Sequence, residues 1–339
     1  WYTTIEVGTP PQSLTVLIDT GSLGILIPRN NCTTCSNHNL FDPHKSTTFS
    51  PLPGNDTEIL FATGGDTIPF VEYQGANCSI VTDTVSLRGL TVPNQRVILC
   101  DSYGPALASQ PIDGIIGLGP ADSLPCAEFG LYYVPGVRDG AELTLGGTDP
   151  SKYHGHISTI PLNKNLSVHA EQWVMDIPAI YINGMPVPDS SNENQPRRLS
   201  AAIMDTGTSF MMVPDFNYTK DIYALISSDI QPIDEAGTWG APCQLIDVVA
   251  RDVTITLGRE GALINVTLPK ETFNLGEYPG KPGICQAVFV SSIQPSRAPD
   301  GTPGWVFGSP LLKYYYTAWN GLALTMGFAN ATKGVTHCG

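Results

Sequence analysis

The sequence predicts a mostly-β protein folded as two lobes, and three observations carry that expectation. Its 339 residues leave room for two cores of roughly 150–180 residues each, the usual size of a domain. It holds 34 glycines and 29 prolines but only 14% charged residues, a balance that favours short strands joined by turns over helices. Finally, the stretch VLIDTGSLGILIP at 16–28 returns 186 residues later as AAIMDTGTSFMMVP at 201–214, which reads as one unit duplicated. The expected division is residues 1–150 and 151–339.

The strands come first in that prediction. Runs such as LTVLI, SIVTDTVSL, DVTITL and ALINVTL are rich in β-branched residues and bounded by turn formers, the pattern of strands. Helical periodicity is expected only near 215–229 and 309–316.

The net charge of −14 would repel the anionic backbone of nucleic acid, so nucleic acid is excluded as a partner. Few lysines and arginines also mean little self-repulsion as pH falls, which suits an acidic workplace. Eight cysteines accompany seven Asn-x-Ser/Thr acceptors at Asn31, Asn55, Asn77, Asn165, Asn217, Asn265 and Asn330. Together these point to the secretory pathway, glycosylation, and disulfides rather than free thiols. No apolar run reaches the roughly 18 residues of a spanning helix, and no signal peptide is visible, so Trp1 is read as the start of a mature or trimmed chain.

One Asp-Thr-Gly-Ser/Thr tetrapeptide would arise by accident in about one chain of this length in a hundred, so two in matching apolar surroundings ask for a chemical reason. Two carboxylates brought about 3 Å apart cannot both ionise, and one proton is then shared. Such a pair titrates as a unit and supplies an acid and a base together. Asp19 and Asp205 are therefore the candidate catalytic residues, with a water held between them. Gly21 and Gly207 let backbone amides approach the carboxylates. Ser22 and Thr208 are placed to hydrogen-bond their outer oxygens, and Thr20 and Thr206 to brace the two loops.

The motifs WYTTIEVGTPPQSLTVLIDTGS, FDPHKSTTF (41–49), DGIIGLG (113–119), LTLGGTD (143–149), AIMDTGTSFMMVP and GWVFGSPLLKYYYT (304–317) follow one another in this order. With them the chain resembles the pepsin-like aspartic endopeptidases over nearly all its length, as a secreted, fungal-type member. The resemblance implies two pseudo-twofold-related, barrel-like β lobes with a central cleft. It also implies that Ile115-Ile116-Gly117 and Val306-Phe307-Gly308 back the two aspartate loops; these glycines lie 98 and 103 residues beyond Asp19 and Asp205.

The resemblance also marks departures. Leu26 stands where the family has a tryptophan that bonds a flap tyrosine. The flap position falls on Thr63 when aligned from TEILFA and on Tyr73 when aligned from IVTDTV; the first is preferred, with Gly64, Gly65 and Asp66 as flap contacts. Between Gly119 and Phe129 the family has a longer segment with a helix, and Ser309 replaces an aspartate. Leu26, Ile115, Ser209, Phe210 and Met211 are expected near the substrate.

By resemblance, Cys32–Cys35 and Cys243–Cys285 are disulfides. Cys78, Cys100, Cys126 and Cys338 allow three pairings, of which Cys78–Cys100 with Cys126–Cys338 is preferred. His154-x-His156 lacks the further ligands of a metal site and is read as surface strand. Asp189–Ser200, with Arg197-Arg198, is read as an exposed loop, and Asp113 as structural.

The expected function is a monomeric, secreted, wall-associated or vacuolar endopeptidase, active in acid and sensitive to pepstatin-type inhibitors. It would need neither cofactor nor metal, and would arise from a zymogen. Its substrates would be polypeptides bound as an added strand, with hydrophobic residues flanking the scissile bond. The alternative is a catalytically silent relative that holds a peptide or protein.

Overall fold

The computed structural model describes residues 1–61, 69, 74–120, 128–136, 139–188, 200–294, 296–298 and 300–332. They form two compact units, Trp1–Gly119 and Pro120–Gly339.

The first unit is built on one seven-stranded sheet. In spatial order its strands are Tyr2–Val7, Gln12–Asp19, Gly114–Gly117, Ile25–Pro28, Leu90–Tyr103, Gln74–Leu87 and Ser50–Phe61. Tyr2–Val7 also pairs with Gln74–Leu87, Val7 opposite Val85, so the sheet closes on itself like a barrel. Side chains alternate across a strand, and the sheet sorts them into two cores. Ile5, Val7, Leu14, Val16, Ile25 and Ile27 pack on one face with Phe41 and Val97. Leu26 and Ile115 pack on the other with Ala76, Tyr103 and Leu107. Burial on both faces explains why ILIP (25–28) reads as an unbroken apolar run.

In the second unit a five-stranded sheet runs Val174–Ile177, Ser200–Met204, Gly304–Phe307, Met211–Val213, Phe289–Ser291. Another runs Tyr153–Pro161, Thr325–Ala331, Tyr315–Asn320, Glu128–Tyr132, Glu142–Leu145. The second unit begins at Pro120, where the sequence placed the division at 150; the strands Glu128–Tyr132 and Glu142–Leu145 belong to it because Glu128–Tyr132 pairs with Tyr315–Asn320, Leu131 opposite Thr317. Phe129 stacks on Trp319 at 5.7 Å, and Trp173, which leads into Val174–Ile177 of the first of these sheets, meets Trp319 edge-on at 5.1 Å, an aromatic core shared by the two sheets.

The expected helix near 215–229 is Phe216–Ile226. Asp215 caps it by accepting from the Tyr218 amide at 2.9 Å, and Thr219, Ile222, Tyr223 and Ile226 form its buried stripe. The second expected helix is a single turn, Ser309–Leu312. Lys164–Ala170 and Cys243–Val249 are also helical; seven residues are too few for a period to declare itself in sequence.

Cys32–Cys35, Cys78–Cys100 and Cys243–Cys285 are disulfides. Cys78 and Cys100 sit opposite each other on paired strands. Cys126 and Cys338 lie outside the described residues, as do the flap candidates Thr63, Gly64, Gly65, Asp66 and Tyr73 and the pair Arg197-Arg198. Among the described residues no helix is long and apolar enough to cross a membrane.

Candidate active site

Each Asp-Thr-Gly loop sits between the strand that delivers the aspartate and the strand that carries the chain away, with a third strand behind both. In the first unit Gln12–Asp19 delivers Asp19. It runs parallel to Gly114–Gly117, with Asp19 opposite Gly117. The exit strand Ile25–Pro28 is antiparallel to the same backing strand, Ile25 opposite Ile116. The second unit repeats this wiring. Ser200–Met204 runs parallel to Gly304–Phe307 and Met211–Val213 antiparallel to it. The outer neighbours repeat as well, since each exit strand pairs in parallel with one further strand, Leu90–Tyr103 or Phe289–Ser291.

The two carboxylates are held by the same pair of donors. The Gly21 amide donates to Asp19 Oδ1 at 2.8 Å and the Ser22 hydroxyl to Asp19 Oδ2 at 2.6 Å. The Gly207 amide donates to Asp205 Oδ1 at 2.7 Å and the Thr208 hydroxyl to Asp205 Oδ2 at 2.5 Å. Hydrogen bonds to a charged acceptor are about twice as strong as neutral ones, so each side chain is fixed in orientation. Asp19 and Asp205 are each 7% exposed. Thr20, Thr206 and Thr208 are buried, and Ser22 is half-buried.

The backing glycines explain how the chain comes so close. A Cβ on Gly117 would lie 2.5 Å from the Ser22 carbonyl oxygen, and one on Gly308 would lie 2.3 Å from that of Phe210 and 2.4 Å from that of Thr208. Only glycine lets the backing strand pass beneath each loop. Its amides then lace the loop down: Gly117 donates to Gly24 at 2.6 Å, Leu118 to Asp19 at 2.7 Å and Ser309 to Thr208 at 2.8 Å.

Asp113 has a structural task, as the sequence suggested. Its carboxylate accepts from the Thr15 amide at 2.7 Å and from Asn39, backbone amide at 2.8 Å and side chain at 3.1 Å. It thereby pins the strand that delivers Asp19. Tyr103 seals this clamp by donating to the Asp113 carbonyl at 2.9 Å. Asn39 had no signal in sequence, because its partner lies 74 residues away.

Four of the residues expected near the substrate expose little side chain. Phe210 and Met211 are fully buried, and Leu26 and Ile115 are 4% and 5% exposed; these side chains fill cores and present almost no surface to a ligand. Ser209 is half-buried. Leu23, directly after the first loop, is the large apolar side chain left open there, at 37% exposure. Among the described residues no cluster of three or more metal-ligating side chains occurs.

A duplicated Asp-Thr-Gly loop, each aspartate braced by a glycine amide and a hydroxyl and undercut by a glycine strand, defines a pepsin-like aspartyl protease. The family comparison agrees: the description "Eukaryotic aspartyl protease" matches residues 1–331. The chain belongs to that family of peptide hydrolases. Among curated relatives it is 29% identical to pepsin-2B of Gadus morhua, over 98% of this chain and 96% of that protein. It is 28% identical to cathepsin E of Mus musculus, over 94% and 77%, and 25% identical to chymosin of Callithrix jacchus, over 98% and 81%.

Proposed function

We propose that the protein is a secreted, acid-active aspartic endopeptidase in which Asp19 and Asp205 act as a pair on one water molecule. The ionised member takes a proton from the water as its oxygen attacks the peptide carbonyl carbon. The protonated member gives its proton to the carbonyl oxygen, forming a neutral gem-diol. Collapse of that intermediate breaks the C–N bond, returns the hydroxyl proton to one carboxylate and delivers the other proton to the departing amine. No covalent bond to the enzyme forms at any stage.

The observation that carries this reading is the identity of the two carboxylate cradles, down to which oxygen takes the amide and which takes the hydroxyl. Secretion is supported by three disulfides and by the exposure of all seven sequon asparagines. The relatives reported above are vertebrate proteins, so the fungal assignment rests on the sequence resemblance alone. A substrate bound as an extended strand, with apolar side chains flanking the cut, would meet Leu23 at the rim of the first loop.

The test is digestion of casein at about pH 4, near ordinary carboxylate pKa values, with and without pepstatin. Cleavage that pepstatin abolishes is expected. No cleavage, or cleavage indifferent to pepstatin, overturns the proposal. Cleavage specificity then follows from a peptide library, where a preference for charged residues at the scissile bond would reject the apolar reading.

A further inference from the structure

Away from both aspartate loops, the second unit carries a groove of about 350 Å³ between three strands of one sheet and the neighbouring hairpin strand Ala262–Leu268. That volume lies at the lower end of small-ligand pockets, about 300–1,000 Å³. Its walls include Asn265 and Asn330, two of the seven sequon asparagines, contributed by different strands. None of Asn31, Asn55, Asn77, Asn165 or Asn217 touches it.

We propose that this groove is a seat for the protein's own N-linked glycans, attached at Asn265 and Asn330. The proposal rests on the reading that the chain passes through the secretory pathway. At each site the Asn Nδ2 displaces the diphosphate of a lipid-linked oligosaccharide. A bond forms from Nδ2 to the sugar C1, the C1–O bond to the diphosphate breaks, and one Nδ2 proton is lost.

The local geometry suits that occupant. Asn330 stands in register between His154 on one side and Tyr315 on the other, and both flanking side chains line the groove. Asn265 Oδ1 accepts from the Thr256 hydroxyl at 2.8 Å, which orients the amide and leaves the Nδ2 side for the linkage. Tyr315 is fixed beneath the Asn265 sequon. Its oxygen accepts from the Thr267 amide at 2.6 Å and its hydroxyl lies 3.2 Å from the Thr267 carbonyl. Sugars present both hydroxyls and apolar C–H faces; the groove offers exposed His154 and His156 beside Ile264, Val266 and Phe328. A tethered sugar meets this surface at an effective concentration of about millimolar, so a contact too weak to capture free sugar still keeps the groove filled.

The experiment uses the full chain secreted from a eukaryotic host. Glycan occupancy is mapped by mass spectrometry, and the acylation rates of His154, His156 and His44 by diethylpyrocarbonate are measured on the same sample. Wild type is compared with Asn265→Gln, Asn330→Gln and the double variant, and with folded wild type whose glycans have been removed enzymatically, which needs no substitution. Expected are occupied Asn265 and Asn330, with His154 and His156 reacting several-fold faster once the glycans are gone. His44, exposed in the first unit, should react at one rate throughout. Occupied sites with unchanged His154 and His156 rates overturn the proposal. Glycans elsewhere but none at Asn265 and Asn330 overturn it while leaving the secretory reading intact; no glycan at any of the seven sequons overturns both. Casein digestion is read separately and is expected to be the same in all samples.

Discussion

The loop around Asp19 and the loop around Asp205 match closely where they touch the carboxylate and diverge one layer behind it. Amide to Oδ1, hydroxyl to Oδ2 and glycine beneath are common to both. Four residues before the backing glycine, however, one unit has Asp113 and the other Gly304. The next position is Gly114 in one and Trp305 in the other. A Cβ on Gly114 would sit 2.0 Å from the Leu26 carbonyl oxygen, while Trp305 is buried against Tyr218 and Phe307 at 5.1 and 5.6 Å. The first backing strand is thus anchored by a carboxylate clamp and the second by aromatic packing. The two units share the parts that hold the carboxylate and differ in what supports them.

The largest test of that equivalence is charge removal at each aspartate. Asp19→Asn and Asp205→Asn should each lower casein turnover by at least about 10²–10⁴-fold, with circular dichroism unchanged. Full turnover in either variant would break the pairing; turnover present in wild type and lost in the variants identifies an enzyme, whereas a silent binder would show no turnover in wild type and keep its ligand in the variants.

Next come the hydroxyl donors. Ser22→Ala and Thr208→Ala should each cost about 1.5–3 kcal/mol of interaction with a charged acceptor, read as a fall in kcat with KM little changed. Thr208, fully buried where Ser22 is half-buried, should show the larger loss; the reverse order would mean that exposure does not set their weight. Gly117→Ala and Gly308→Ala force a methyl into backbone atoms and should each cost about 1–3 kcal/mol of stability, visible as a lowered melting temperature. An unchanged melting point would show that the strands can move apart.

The support layer should respond unequally. Asp113→Ala leaves the Thr15 and Asn39 donors without their acceptor and should destabilise the first unit by about 1–3 kcal/mol. Hydrogen exchange should quicken in Gln12–Asp19 and not in Ser200–Met204; equal quickening would refute separate anchoring.

The smallest effect lies in alkali. Burial raises Tyr223 well above the ordinary tyrosine range, and burial followed by the Asp113 charge does the same for Tyr103. A folded pKa above the unfolded value of about 10 means that their contribution is intact below that pH and is lost as pH rises through the folded values. Melting temperature should therefore fall above about pH 10, less steeply in Tyr223→Phe. An identical alkaline slope in that variant would remove Tyr223 from the account.

Much of the site was readable because its chemistry is local. A carboxylate, a glycine two residues on and a hydroxyl three residues on form one turn, and the hydrogen bonds stay within that turn. The strand at DVTITL, the helix after Asp215 and the pairing of Cys78 with Cys100 follow equally from local pattern or from a few plausible partners. The burial of Phe210, Met211, Leu26 and Ile115 was not readable, because an apolar residue beside such a loop looks the same in sequence whether it faces a ligand or a core.

The amino-acid sequence by itself determined that this chain carries two equivalent aspartate loops and builds them from strands, since periodicity and turn chemistry act over a few residues. Only the tertiary structure decided that Phe210 and Met211 lie in the interior, that Asn39 completes the Asp113 clamp and that Glu128–Tyr132 joins the second unit. Those outcomes depend on which distant segments meet: the Asn39–Asp113 hydrogen bond across 74 residues and the pairing of Leu131 with Thr317 are settled by packing of the whole fold rather than by any short stretch.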